Sequence, residues 1–416
     1  MCRNHQQKGN DDMQRRDFLK GLAAAAVLAP VGQLLAKTSE TAVAGKSISR
    51  KKTATFEVPM LGFGCMRLPR TQSGGIDYTA TRKLFDRAME AGLNYFDTAY
   101  FYHGGDSERC VGKLLSAYPR ESYFLADKMP LSHLKKASDV KRIFKEQLEK
   151  CRTKYFDFYL FHACNAASFR KAERFKTYEF LNQMKQEGKI RRLGFSFHDT
   201  PEVLQTIVDS HPWDFAMIQL NYLDWVRYRS KEQYEILTAA GIPVFVMEPL
   251  RGGSLATLSP TATAILQQAE PQMNNAEWAF RYLAGLPNVA LVLSGMNDMK
   301  HLNENIATFS PLTPLNAKQK RTLGRALAAY QNKLAVPCTG CKYCIPCPAE
   351  VEIPTIFELY NQYKLENDRK AFDEQYQKLP EDARAQACVK CGRCVKKCPQ
   401  KIDIPKELAA IAAAVK

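Results

Sequence analysis

Eight of the 13 cysteines in this 416-residue chain fall in two tight runs near its C-terminal end. The first is Cys338, Cys341, Cys344 and Cys347, followed by Pro348; the second is Cys388, Cys391, Cys394 and Cys398, followed by Pro399. Thiolates repeated every three residues and closed by a Cys-Pro suit an iron–sulfur cube. Three of them reach three irons of one cluster, and the Cys of the distant Cys-Pro completes the other. The pattern predicts two [4Fe–4S] clusters, one on Cys338, Cys341, Cys344 and Cys398, the other on Cys388, Cys391, Cys394 and Cys347. The first run has two residues, not three, ahead of its Cys-Pro, a departure that bears on cluster geometry. Zinc is the competing reading, because C-x2-C pairs also bind it. Disulfides fit less well, since this spacing gathers thiols on one turn around a metal. Two clusters in tandem point to one-electron transfer, with a purely structural role as the alternative.

A second constellation is spread through the middle of the chain: Asp97, Tyr102, Lys128 and His162. A phenol with an ordinary pKa of about 10 is a weak acid at neutral pH. A neighbouring ammonium stabilises phenolate and lowers that value, the effect expected of Lys128 on Tyr102. Asp97 would hold the ammonium charged and oriented, and His162 can donate to a carbonyl oxygen. Together they make a proton donor beside a carbonyl site, suited to C=O reduction when hydride arrives from the opposite side. Each residue alone has an ordinary explanation, Asp97 as a helix cap and His162 as a half-buried imidazole. The convergence of all four is what points to chemistry.

That convergence needs a scaffold. Apolar or β-branched runs predict strands at residues 60–65, 93–97, 123–126, 156–161, 192–195, 215–220, 243–247 and 289–293. Helical spacing lies between them at 81–91, 107–117, 140–151, 170–187, 232–240 and 275–284. Gly92, Gly188, Gly241 and Gly285 stand where helix C-caps are expected. Eight strands alternating with helices predict an α/β fold, a (β/α)8 TIM barrel. An open doubly wound sheet is the rival, but Gly62-Phe63-Gly64 lacks the third glycine and the helix start of a dinucleotide fingerprint. Barrel chemistry sits at the C-terminal ends of strands. Reading those ends in order gives Asp97, Lys128, His162, Ser196, Gln219 with Asn221, Glu248 and Ser294, with Tyr102 in the loop beyond Asp97. The barrel cysteines Cys65, Cys110, Cys151 and Cys164 read as small core hydrophobes. Cys164 is the one closest in sequence to His162.

With Asn94-Tyr95-Phe96-Asp97-Thr98-Ala99-Tyr100-Phe101-Tyr102, Ser107-Glu108, Lys128 after Asp127, and His162 after Phe161, the chain resembles the aldo/keto reductase superfamily. The resemblance covers about residues 54–309. It implies Tyr102 as general acid, Lys128 and Asp97 as the groups that tune it, and His162 as the residue that orients the substrate. It also implies a nicotinamide cofactor, NAD(P), across the barrel mouth. Ser196, Gln219 and Asn221 would hold its carboxamide end, Leu250, Gly252 and Gly253 its pyrophosphate, and Ser294, Gly295, Glu304 and Asn305 its adenosine end. Relatives that prefer NADP often carry Lys and Arg where Gly295 and His301 stand here, so the choice between NAD and NADP stays open. His198 replaces a small polar residue common in the family.

Beyond the barrel, the polar, helically spaced segment 356–378 between the cysteine runs suggests a mainly α-helical ferredoxin-like module. The organisation read from the sequence is a signal and linker at 1–45, a barrel at 54–312, a helical connector at 313–336 and a ferredoxin-like 4Fe–4S dicluster domain at 337–416. The first segment has Arg15-Arg16-Asp17-Phe18-Leu19-Lys20 ahead of an Ala/Leu/Val-rich run, which resembles a twin-arginine-type export signal. Ala42-Val43-Ala44 fits a cleavage site. That route carries folded proteins, which suits a chain whose clusters must form before export to the periplasm. The longest apolar stretch, 21–35, is short for a membrane span, so no span is expected in the mature chain. The net charge of +16 is spread without a basic, aromatic-interleaved stripe, so no nucleic acid is expected. The composition is that of a packed globular protein, with 45% hydrophobic and 25% charged residues. The reading is an exported oxidoreductase acting on a small carbonyl or alcohol, with electrons exchanged between clusters and a redox partner protein. The alternative is an iron–sulfur electron carrier that keeps the barrel without turnover.

Overall fold

The computed structural model describes residues 47–331 and 335–415. The signal expected at 1–45 lies outside the described residues. Eight parallel strands close into a barrel: β1 (Leu61–Gly64), β2 (Tyr95–Asp97), β3 (Phe124–Met129), β4 (Phe156–Cys164), β5 (Ile190–Phe197), β6 (Phe215–Gln219), β7 (Val244–Met247) and β8 (Val289–Ser294). β8 pairs with β1 and so completes the ring. The expected fold class is therefore the observed one.

The strand alternation explains where the polar residues go. Side chains two apart share a face of a strand. Tyr95, Ala126, Phe158, Phe215, Met217 and Phe245 fill the barrel interior. Asp97 is two residues beyond Tyr95, Lys128 two beyond Ala126, and His162 four beyond Phe158. The same inward row is thus apolar at the bottom and ionisable at the top. The bottom is closed by a hairpin, Arg50–Lys52 paired antiparallel with Glu57–Pro59. Its Phe56 meets Phe158 at 5.3 Å and Phe245 at 5.9 Å between ring centroids.

β3, β4 and β5 run past their expected ends. The apolar pattern stops at Asp127 and His162, whereas the ladder continues through Lys128↔Leu160 and Cys164↔Phe197. The helix expected over 170–187 is two helices, Ala166–Arg174 and Thr177–Gln186, broken at Lys176 with φ of 53°. Helices Pro201–Ser210, Pro260–Ala269 and Met299–Thr308 add to those named from the sequence and belong to the same strand–helix alternation. Two of them begin with proline, the residue best suited to a first helical turn. Gly92, Gly188 and Gly241 adopt positive φ as expected, but Gly285 does not.

Contacts divide the chain into two compact units. The first comprises the described residues up to Pro249 with Phe280–Leu315, and the second comprises Leu250–Ala279 with the described residues from Asn316 onward. The first holds the whole barrel. The second therefore includes most of the connection from β7 to β8. Within it, Pro260–Ala269 packs against Ala317–Gln331, and Gln319 Nε2 donates to Glu270 Oε1 at 2.9 Å. The cysteine-bearing part is mainly helical: Ile353–Glu366, Arg369–Gln377 and Ile404–Ala414. The single helical segment expected there is interrupted at Asn367, in the left-handed region at φ 60°. Among the described residues no helix is long and apolar enough to cross a membrane.

Candidate functional site

In the first unit, three strand ends and one loop bring the ionisable residues together. Lys128 is 1% exposed and Asp97 2%. Lys128 Nζ is hydrogen-bonded to Asp97 Oδ1, and it also donates to the Thr98 carbonyl at 2.7 Å. The same ammonium stands 5.0 Å from the centroid of the Tyr102 ring. His162, buried on β4, lies edge-on to Tyr102 with ring centroids 5.9 Å apart. It stacks on Phe101 at 4.6 Å with the planes 1° apart, and Phe101 in turn stacks on His133 at 5.7 Å. All four residues singled out in the sequence thus share one end of the barrel.

Their electrostatics differ from expectation in one respect. Lys128 was expected to pull the Tyr102 phenol down. Burial, and next the Asp97 carboxylate, instead push it well above its ordinary value. The phenol therefore stays protonated at neutral pH. Asp97 is itself raised by burial, with Lys128 acting against the rise. Burial, with Lys128 second, holds His162 well below the ordinary histidine value, so its imidazole is neutral. His198 also bears on His162, and burial lowers His198 to about 4.

Ser196, Gln219 and Asn221 are buried at neighbouring strand ends. Ser196 Oγ accepts from Ala163 N–H at 2.8 Å. Gln219 Nε2 and Asn221 Nδ2 both donate to Asp224 Oδ2, at 2.7 and 2.8 Å. Asp224 was missed by the sequence reading. Its signal was the spacing from Asn221, whose Oδ1 accepts from Leu223 and Asp224 N–H in a local turn. Asn305 Nδ2 donates to Ser294 Oγ at 3.0 Å, tying the end of β8 to helix Met299–Thr308. Glu304 is partly exposed on that helix. A Cβ on Gly295 would lie 3.3 Å from Arg67 Cδ. His301 pairs with Asp298, which caps the same helix. Cys65, Cys110, Cys151 and Cys164 are buried, and burial raises every one of their thiols, as core cysteines should be.

In the second unit, Cys338, Cys341, Cys344 and Cys398 line one small cavity of about 20 Å³, together with Ile353, Phe357 and Ile404. Burial pushes the Cys344 thiol up to about 12, and Cys341, Cys338 and Cys398 all act on it. The Cys394 thiol is raised by burial and by Cys388 and Cys347. Cys398 thus lines the same cavity as the first run, and Cys347 is near enough to act on Cys394 of the second. A cube carries its irons at separate corners, so its thiolates surround a volume and do not converge on one point. The four cysteines line one cavity, as the ligands of such a group would. Leu250, Gly252 and Gly253 also belong to this unit. The space beside Gly252 is taken by Thr339, whose carbonyl oxygen would lie 2.0 Å from an added Cβ, whereas Gly253 has open space there.

Residues 60–326 match the aldo/keto reductase family, and residues 337–402 match a 4Fe-4S dicluster domain. The chain belongs to the aldo/keto reductase family. It is 26% identical over 286 residues to the uncharacterized oxidoreductase YqkF of Bacillus subtilis, covering 61% of this chain and 88% of that protein. It is 25% identical over 284 residues to the NADH-specific methylglyoxal reductase of Escherichia coli, covering 58% of this chain and 86% of that one. The holo form of an aldo-keto reductase from Bacillus halodurans superimposes with a TM-score of 0.57 at 26% identity, over 67% of this chain and 96% of the other. The protein is an oxidoreductase of this family joined to a ferredoxin-like 4Fe-4S domain.

Proposed function

We propose that this protein interconverts small carbonyl compounds and alcohols with a nicotinamide cofactor, and that two [4Fe–4S] clusters connect it to a one-electron partner protein. The observation that carries the first half is the Lys128 ammonium. It is held by Asp97 and Thr98 and set against the ring of Tyr102, with neutral His162 alongside. When bound, the nicotinamide supplies or accepts a hydride. Tyr102 O–H donates the proton that a carbonyl oxygen needs as it becomes an alcohol. His162, uncharged, hydrogen-bonds and orients that oxygen, and Asp97 holds the Lys128 side chain in place. The raised phenol is in its donor form at neutral pH, but as a weaker acid than a free phenol.

The buried neutral groups of Ser196, Gln219 and Asn221 have the donor and acceptor chemistry that a carboxamide requires, and Asp224 fixes two of them. Ser294, Gly295, Glu304 and Asn305 remain the candidates for the adenosine end. The Asp298 carboxylate at the start of helix Met299–Thr308 disfavours a 2′-phosphate there, which supports NAD. The relative from Escherichia coli, described as NADH-specific, agrees with that reading. For the clusters, the cavity lined by Cys338, Cys341, Cys344 and Cys398 supports one site. The influence of Cys388 and Cys347 on Cys394 supports the other, with Cys391 as its fourth ligand. Export by the twin-arginine route completes the proposal, since it would deliver the clusters already folded in.

The test is anaerobic purification, NADH and NADPH titration, and carbonyl reduction by the wild type and by Tyr102→Phe. Turnover abolished in the variant, with iron and acid-labile sulfide unchanged, supports the reductase. Wild-type protein that binds no nicotinamide and turns over no carbonyl refutes it and leaves an electron carrier. Four irons per chain in place of eight would refute the paired clusters. An unprocessed N-terminus in a cytoplasmic fraction would refute export.

A further inference from the structure

The second cysteine run holds the one exposed thiol among the eight; its other three, Cys388, Cys394 and Cys398, are partly buried. Cys391 is exposed, as are Val389 and Lys390 before it and Arg393, Lys396 and Lys397 after it. Val389 is 68% exposed; among the described residues the one other exposed large hydrophobic is Met299 at 38%. The first run is different. Cys338, Cys341 and Cys344 are partly buried around a cavity closed by Ile353, Phe357 and Ile404.

The stretch of chain around Val389 carries one sign of charge, with the acidic Glu381 and Asp382 just ahead of it and Asp403 just beyond. Residues 383–400 include Arg384, Lys390, Arg393, Lys396 and Lys397 and no carboxylate. Arg384 is turned to the Leu379 and Gln377 carbonyls. The other four make no ion pair with any described residue. Arg393–Lys397 is a short helical turn, so Arg393, Lys396 and Lys397, three and four residues apart, share one side. Solvated lysines alone would only aid solubility. An uncovered apolar side chain flanked along the chain by exposed, unpaired cations, next but one to the exposed Cys391, has the makings of an interface with an apolar centre and a polar rim. The uniform positive charge selects an anionic partner and accelerates its encounter.

We propose that the surface around Val389 and Cys391 is the docking site of a small acidic protein that carries one electron per encounter, making the second cluster the port of electron entry or exit. This rests on the redox reading of the clusters given above. In each encounter one electron leaves the reduced carrier, which is oxidised by one unit, and one cluster is reduced by one unit. No bond forms or breaks, and no proton moves.

The experiment mixes the oxidised full-length holoprotein anaerobically, in a stopped-flow instrument, with a reduced plant-type ferredoxin as the acidic probe. Cluster bleaching is the readout. The expected bimolecular rate falls steeply with added salt. Lys396→Glu with Lys397→Glu lowers the low-salt rate about tenfold or more and flattens the salt dependence. Val389→Asp lowers the rate at every salt concentration. Reduced methyl viologen, a small cation that needs no docking surface, bleaches wild type and variants alike and confirms that the variants keep their clusters. Ferredoxin rates indifferent to salt and to charge reversal, with viologen reduction intact, overturn the docking site alone. Clusters that viologen cannot reduce in the wild type overturn the redox reading beneath it.

Discussion

Gly252→Ala should release iron from one cluster and spare the other. Gly252 stands at φ 69°, and an alanine Cβ there would lie 2.0 Å from the Thr339 carbonyl oxygen and 2.6 Å from its carbon. The left-handed conformation costs a non-glycine residue about 1–2 kcal/mol. Clearing the contact requires one backbone to retreat by about 1 Å, and overpacking of this kind costs about 1–3 kcal/mol. The combined penalty is about 2–5 kcal/mol. The chain that must retreat is the one carrying Cys338. Its position is fixed from the same side by Arg251, whose guanidinium donates to the Pro337 carbonyl at 3.2 Å and to Gln400 Oε1 at 3.5 Å. Thr339 and Gln400 both line the cavity of Cys338, Cys341, Cys344 and Cys398. The measurement is iron and acid-labile sulfide per chain, with the rate of iron loss to a chelator, for Gly252→Ala and Gly253→Ala. Gly253 also has positive φ, at 103°, but nothing lies within 4 Å of its would-be Cβ. It therefore carries conformational strain without the collision. Faster loss of about half the iron in Gly252→Ala alone is expected. Equal rates in the two variants would refute the assignment of this close approach to the first cluster.

Three further perturbations test the remaining architecture. Asp97→Asn leaves the Lys128 ammonium buried without its counter-charge, a loss of about 3–5 kcal/mol for a pair this enclosed; denaturant unfolding should show it, and carbonyl reduction should fall in kcat more than in KM. Cys347→Ser should erase the spectroscopic signature of the cluster on Cys388, Cys391 and Cys394, and Cys398→Ser that of the other; damage to each variant's own run would refute the crossed pairing. His198, lowered to about 4 in the folded barrel against about 6.5 unfolded, gives stability that is complete above pH 6.5 and is lost as pH falls toward 4. His162 acts in the same direction. His198→Asn should flatten that acid limb in unfolding measurements between pH 7 and 4.

The alternation of apolar runs and helical spacing determined the barrel, because eight buried parallel strands have to be apolar and have to be separated by crossovers. The cysteine spacing determined the iron–sulfur chemistry, since three-residue repeats place thiols within reach of one cube. Asp97, Lys128 and His162 were legible because polar residues interrupt otherwise apolar strands only at their ends. The strand limits were less legible, because a ladder continues through polar residues that a hydropathy pattern treats as a stop. Tertiary structure alone decided three things. It set the direction of the Tyr102 shift, because burial outweighs an ammonium whose presence the sequence could show but whose surroundings it could not. It revealed Asp224 as the residue that fixes Gln219 and Asn221. It gave Gly252 its reason, the approach of Thr339 from 87 positions farther along the chain. Local sequence records periodicity and spacing, but desolvation and close packing depend on which distant segments fold onto a residue.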